Sequence, residues 1–125
     1  FGALKFEEYK KKQQKKEQAK EKKLNKPFIF TEYGADTLAS EHKLPSVMWS
    51  QEYQDEYLKM THEVFDSYDF IKGEQIWNFA DFQTTEGIMR VNGNKKGVFT
   101  RQRQPKDIAY KLKERWENLP LDYKK

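Results

Sequence analysis

The chain has 125 residues, the size of one ordinary domain. It has no Cys and only two His, at positions 42 and 62, which excludes disulfides and thiolate metal sites and argues against a His-rich one; neither a metal nor a cofactor is expected. The net charge is +4 and the pI 9.1, but ten Lys and four Glu fall between Lys5 and Lys26, leaving the rest net acidic, so affinity for nucleic acid is not implied.

Residues 3–24 read as one helix, because Lys, Gln, Glu and Ala dominate there and all are good helix formers. Apolar residues are few (Leu4, Phe6, Tyr9, Ala19, Leu24), so a basic, solvent-exposed helix is expected over residues 1–25. A basic arm for nucleic acid or an anionic membrane is the alternative; the missing aromatic interleaving and apolar face argue against it. Asn25-Lys26-Pro27 closes the helix, since proline cannot continue it and drives Lys26 extended. Residues 28–33 form a short, mainly apolar run, the pattern of a strand buried on both faces in a parallel sheet. Gly34 marks its exit.

Residues 35–46 read as a loop. Ser50 is placed to cap a helix over 51–68, with Glu52 in its first turn. Tyr53, Tyr57, Leu58, Met60, Val64 and Phe65 then share one face. Residues 71–79 read as a second strand, in which Glu74, Gln75 and Asn78 need polar partners where buried. Residues 82–104 make a long loop, a length usually functional inside a compact domain. Pro105 is expected in the first turn of a last helix, with Ile108, Ala109, Leu112 and Trp116 as its apolar stripe. No apolar run reaches the ~18 residues of a membrane span. The mean hydropathy is -1.10, yet 15% of residues are aromatic, so a core is expected over part of the chain. Helix, strand, helix, strand, helix is an α/β order with parallel pairing, and two such strands are not a stable sheet alone.

In α/β barrels, chemistry sits at the C-terminal ends of strands and in the loops that follow. Those places hold Glu32, then Trp77, Asn78 and Asp81, then Arg90 and Asn92-Gly93-Asn94-Lys95-Lys96-Gly97. A carboxylate, an aromatic ring, an amide and an ammonium on one rim suit a sugar that itself carries a carboxylate. Trp stacks on the ring, Lys supplies a point charge and Asn orients a hydrogen bond. Blander readings stand beside this one. Glu32 then serves as a structural carboxylate, Trp77 as core, and Lys95 and Lys96 as a solvated turn. His42 and His62 read as chemically bland, Glu74 as a buried, paired carboxylate, and Trp49, Trp116 and the Met residues as packing.

Phe30-Thr31-Glu32-Tyr33-Gly34-Ala35-Asp36-Thr37 resembles the nucleophile segment of the β-glucuronidases of glycoside hydrolase family 2. Gly73-Glu74-Gln75-Ile76-Trp77-Asn78-Phe79-Ala80-Asp81-Phe82 resembles the next barrel strand of that family. The run from Gly93-Asn94-Lys95-Lys96-Gly97 to Pro105-Lys106 resembles its loop before the last helix. The resemblance covers residues 26–119. It implies a C-terminal segment of a (β/α)8 TIM barrel, with residues 26–125 as the last two β/α units. It also implies roles: Glu32 as nucleophile of a retaining glycosidase, Asn94 and Lys96 as the clamp on the glucuronate carboxylate, and Trp77 and Arg90 at the sugar subsite. Tyr33 and Asp36 would support the nucleophile.

A retaining glycosidase needs a second carboxyl about 5 Å from the nucleophile as acid/base. The family carries it as Glu after Asn on an earlier strand, and no such pair precedes Glu32. The chain alone is therefore expected not to turn over substrate. Its expected partners are a β-glucuronide, the remainder of the barrel and N-terminal domains, and further copies in a homo-oligomer of the complete enzyme; nucleic acid and membrane are not expected. A non-catalytic glucuronate-binding module is the alternative. The absence of Cys fits a cytoplasmic bacterial protein.

Overall fold

The computed structural model describes residues 2–24 and 26–124. Five elements follow in the order α1 (Gly2–Leu24), β1 (Phe28–Phe30), α2 (Gln51–Asp66), β2 (Ile71–Glu74) and α3 (Asp107–Asn118). Asn25, read as part of the break after the first helix, lies outside the described residues, as do the side chains of Leu4, Phe6 and Leu24.

β1 and β2 pair in parallel, Phe28 against Ile71, Ile29 against Gly73 and Phe30 against Glu74, with an irregularity between Phe28 and Ile29. Both strands are shorter than the expected 28–33 and 71–79. Their continuations leave the ladder yet stay linked: Gln75 N–H donates to Phe30 O at 2.7 Å, and Trp77 N–H to Tyr33 O at 2.8 Å. Apolar pattern and β-propensity persist past Glu74, but the backbone turns there to meet the loop of residues 94–99. The Trp77–Asn78 peptide is cis.

α2 starts at the expected place. Ser50 is extended (φ -77°, ψ 155°), and its Oγ accepts the Tyr53 N–H at 3.2 Å, the bond expected of an N-cap hydroxyl. The inner face of α2 places Leu58 and Phe65 against Tyr33, Ile71, Val98, Ile108 and Leu112. Phe30 stacks on Phe65 with centroids 4.4 Å apart, and Tyr33 meets Phe65 edge-on at 5.2 Å. The core thus lies between the strand pair and helices α2 and α3. Away from it, Ile29, Phe79 and Trp77 are exposed.

Pro105 does not open the last helix. Lys106 takes the extended cap position (φ -87°, ψ 169°), and Pro105 pairs with Phe99 in an isolated bridge. Its missing N–H suits this stretch before the cap as well as it suits a first turn. The packing reading of the other large side chains holds for Met60 alone among the methionines; Met48, Met89, Trp49 and Trp116 are exposed.

α1 is not solvated all round. Lys5, Glu7, Glu8, Lys11, Lys12, Lys15 and Lys16 are exposed, but one side docks on α2. The Tyr9 and Tyr57 hydroxyls lie 3.0 Å apart, Lys10 pairs with Glu63 at 2.9 Å, and Tyr68 OH donates to Gln14 O. Glu17 is buried on that side. Polar residues make this contact, so no apolar stripe marks it. No helix among the described residues is long and apolar enough to cross a membrane.

Candidate active site

Three stretches meet beyond the ends of the strands: residues 32–37 after β1, 77–82 after β2, and 90–99 of the long loop. Backbone bonds join them. Thr37 N–H donates to Lys95 O at 2.9 Å, Asn78 N–H to Lys96 O at 3.2 Å, and Val98 N–H to Asn78 O at 2.9 Å; Phe82 and Asn94 exchange a bond in each direction. The long loop is therefore not structureless. It folds back on the strand ends through paired backbone, with Asn92 and Gly93 both at positive φ (61° and 86°) where it turns. Two glycines permit the close approach. A Cβ on Gly34 would strike the Trp77 carbonyl oxygen, and one on Gly97 would strike the backbone of Ala80, Asp81 and Phe99.

Glu32 is exposed at the exit of β1. With Tyr33, Gly34, Trp77 and Lys96 it lines an open cavity of about 330 Å³. Trp77 stands edge-on to Phe82, ring centroids 6.0 Å apart. The far wall comes from α1 and α2, through Tyr9, Gln13, Lys16, Glu17, Tyr57 and Thr61. Sequence reasoning placed none of the α1 residues at the site, because nothing in a Lys/Gln/Glu helix signals which side docks.

Asn94 and Arg90 do not line this cavity; they belong to the turn that carries Lys96. Asn94 is buried, and its Oδ1 accepts the Lys96 N–H at 3.0 Å. That bond leaves the NH₂ end of the amide as the end able to meet an anion. Arg90 faces Asp36, with Nη1 at 3.3 Å from both carboxylate oxygens, and Asp36 also accepts the Lys95 N–H at 3.1 Å. Asp36 therefore fastens the turn that carries Asn94 and Lys96, and Arg90 is its counter-ion.

Two networks hold this rim from beneath. The first starts beside Glu32. The Tyr33 hydroxyl lies 2.9 Å from His62 Nε2, His62 lies 3.7 Å from Glu74, and Glu74 accepts two bonds from Arg115 at 2.9 Å and one from the Trp116 indole at 3.2 Å. Arg115 also grips Asp66 through both terminal nitrogens. Burial pushes the His62 imidazole down to about 4, against the pull of Glu74. Burial alone would raise the Glu74 carboxyl; Arg115 and His62 hold it below its ordinary value. Glu74 is thus paired, as expected, while His62 is an integral member of the network.

The second network centres on Lys106, which carries no exposed side-chain surface. Its ammonium donates to Thr37 O at 2.8 Å, Asp81 Oδ1 at 2.9 Å and Lys95 O at 2.9 Å. Asp81 Oδ1 also accepts the Gly97 N–H at 2.9 Å. Burial lowers the ammonium below its usual range, with Asp81 opposing that shift.

The chain matches "Glycosyl hydrolases family 2, TIM barrel domain" over residues 4–121. It is 58% identical over 94 residues to a β-glucuronidase of Paenibacillus borealis, covering 75% of this chain and 16% of that protein. It is 50% identical over 97 residues to the human β-glucuronidase, covering 76% and 15%. The crystal structure of Ruminococcus gnavus β-glucuronidase superposes with a TM-score of 0.84 at 62% identity, covering 89% of this chain and 19% of that one. A second structure of that enzyme, in complex with uronic isofagomine, matches with the same TM-score and identity over 90% and 19%. The chain thus spans less than a fifth of the length of these relatives.

Proposed function

The chain belongs to glycosyl hydrolases family 2, and on that premise we propose that it is the nucleophile-bearing part of a retaining β-glucuronidase barrel. Residues 26–125 form its last two β/α units and residues 1–25 the helix leading into them. The observation that carries this reading is the gathering of Glu32, Trp77 and Lys96 around one cavity, with Asn94 bonded to the Lys96 backbone.

In this reading the Glu32 carboxylate attacks the anomeric carbon of a β-glucuronide as the aglycone leaves. A second carboxyl, from a part of the barrel outside this chain, donates the proton to the leaving oxygen and later activates the water that frees the sugar. Trp77 offers an apolar face to the ring. Lys96 and the Asn94 amide bind the C6 carboxylate, a charge-assisted pairing that a neutral hexose cannot form. Arg90 and Asp36 keep the turn in place, and Tyr33 fixes the backbone beside the nucleophile. Two features support these assignments: the exposed carboxylate at a strand end, and the 50–58% identity to proteins named as β-glucuronidases.

The test is Glu32→Gln in the full-length protein that carries this chain. Turnover of a chromogenic β-glucuronide should vanish while the melting curve stays unchanged, since Glu32 is exposed. Retained turnover refutes the assignment. A companion assay mixes the chain with the upstream barrel portion; activity in the mixture alone is expected, whereas glucuronate binding with no hydrolysis in any form identifies a binding module instead.

A further inference from the structure

We propose that Lys106 is a positioning residue for the carboxylate clamp, making the choice of a uronic acid over a neutral sugar depend on a lysine that never meets the ligand. The inference rests on the reading of Asn94 and Lys96 as that clamp. Its basis is where the three bonds of one buried ammonium go. Thr37 O belongs to the exit of β1, next to the Asp36 that fastens the turn. Asp81 belongs to the exit of β2. Lys95 O lies between the two clamp residues. The Lys106 backbone N–H reaches the same loop, donating to Val98 O at 3.1 Å. The side chain of Lys95, by contrast, has no part in this grip, which uses only its carbonyl.

The chemistry explains why lysine stands here. An ammonium has three donors and no acceptor, and all three meet acceptors: two carbonyls and one carboxylate oxygen. Asp81 supplies the charge that makes the burial tolerable, and the same oxygen takes the Gly97 N–H one residue past the clamp. Removing the ammonium leaves the Asp81 carboxylate buried without its counter-ion and takes a donor from Thr37 O and Lys95 O, an outcome costly enough to move the loop. Glu32 leaves β1 on the far side of Gly34, and its neighbour Tyr33 is tied to the separate network through His62, so it should stay in place.

The experiment compares inhibition of the full-length enzyme by uronic isofagomine and by isofagomine, the same ring without the carboxylate, in Lys106→Met. An inhibition constant does not depend on how much of the sample is folded. The uronic inhibitor should weaken by roughly 30-fold, the size of one lost charge-assisted interaction, and isofagomine by less than about threefold on the same scale. Lys113→Met, an exposed lysine of the same helix, should change neither. Equal weakening of both inhibitors, or of neither, overturns the proposal. Should Lys106→Met fail to fold, Asp81→Asn keeps an acceptor for Gly97 N–H and removes only the charge; selective loss of the uronic inhibitor supports the proposal and uniform loss overturns it. Wild-type enzyme that does not prefer the uronic inhibitor would refute the clamp itself, a result separable from every outcome above.

Discussion

The Tyr33 hydroxyl sits 2.9 Å from Nε2 of His62, so the residue next to Glu32 is anchored to the middle of α2 through an imidazole held neutral. His62 protonates at about 4 in the fold, because burial disfavours the cation, against an ordinary value of about 6.5. Between these values the unfolded chain binds more protons, so this group's stabilisation is complete above pH 6.5 and is lost as the pH falls toward 4, by at most about 3 kcal/mol. Asp55 acts in the opposite sense. Burial and Asp107 raise its carboxyl to about 6, so its protonation adds stability over part of the same window. Relative to wild type, His62→Gln should therefore become progressively more stable from pH 6.5 down to 4.5, and Asp55→Asn progressively less stable as the pH falls below about 6. Urea midpoints across that range check both; parallel curves for wild type and His62→Gln would remove the neutral imidazole from the account.

Gly34 and Gly97 allow three backbone stretches to touch. An alanine at either place meets main-chain atoms rather than a side chain that can swing away. Each substitution should cost about 1–3 kcal/mol, the usual toll of overpacking. Gly87→Ala, with open space around its Cβ, should be near neutral. Thermal melts of the three variants decide the point, and a harmless Gly97→Ala would contradict the close approach of the long loop to Asp81.

Arg115 is shared by Glu74 and Asp66. Arg115→Met should destabilise by about 3 kcal/mol, because Glu74 is left largely buried without its cation. Adding Glu74→Gln to that variant should recover part of the loss. A double variant as unstable as the two single losses added together would mean that the pair is not coupled.

Ser50 closes the N-terminus of α2 and is fully buried, with Oγ also donating to Val47 O at 2.6 Å. Ser50→Ala should cost about 1 kcal/mol, and Ser50→Asp, which restores an acceptor, should recover some of it. Chemical denaturation of the two variants provides the comparison.

Much of this architecture is legible from residues alone, where local chemistry decides the outcome. Ser50 followed by helical periodicity locates α2, and the two apolar runs separated by a helix give the parallel pair. The strand-end rule puts Glu32, Trp77 and Lys96 on one rim before any coordinates are known. What stays hidden depends on long-range contacts. Lys106 follows Arg-Gln-Arg-Gln-Pro, a setting in which a lysine reads as solvated, and only the fold brings Thr37, Asp81 and Lys95 around it. Likewise, α1 docks through Tyr9, Lys10 and Glu17, residues whose type gives no hint of an inward side. The partners of Arg90 and Asn94 are equally hidden in the sequence: only the fold sets Arg90 against Asp36 and the Asn94 Oδ1 on the Lys96 N–H.

Because Lys106 holds Lys95 by its carbonyl oxygen, the grip is indifferent to which side chain stands there. Point substitutions at the partly exposed Lys95 leave it intact, whereas a single inserted or deleted residue between Gly97 and Lys106 pulls the ammonium out of register with all three acceptors. Diversification of this rim can therefore proceed by exchanging side chains, and the length of that segment is the quantity it must conserve.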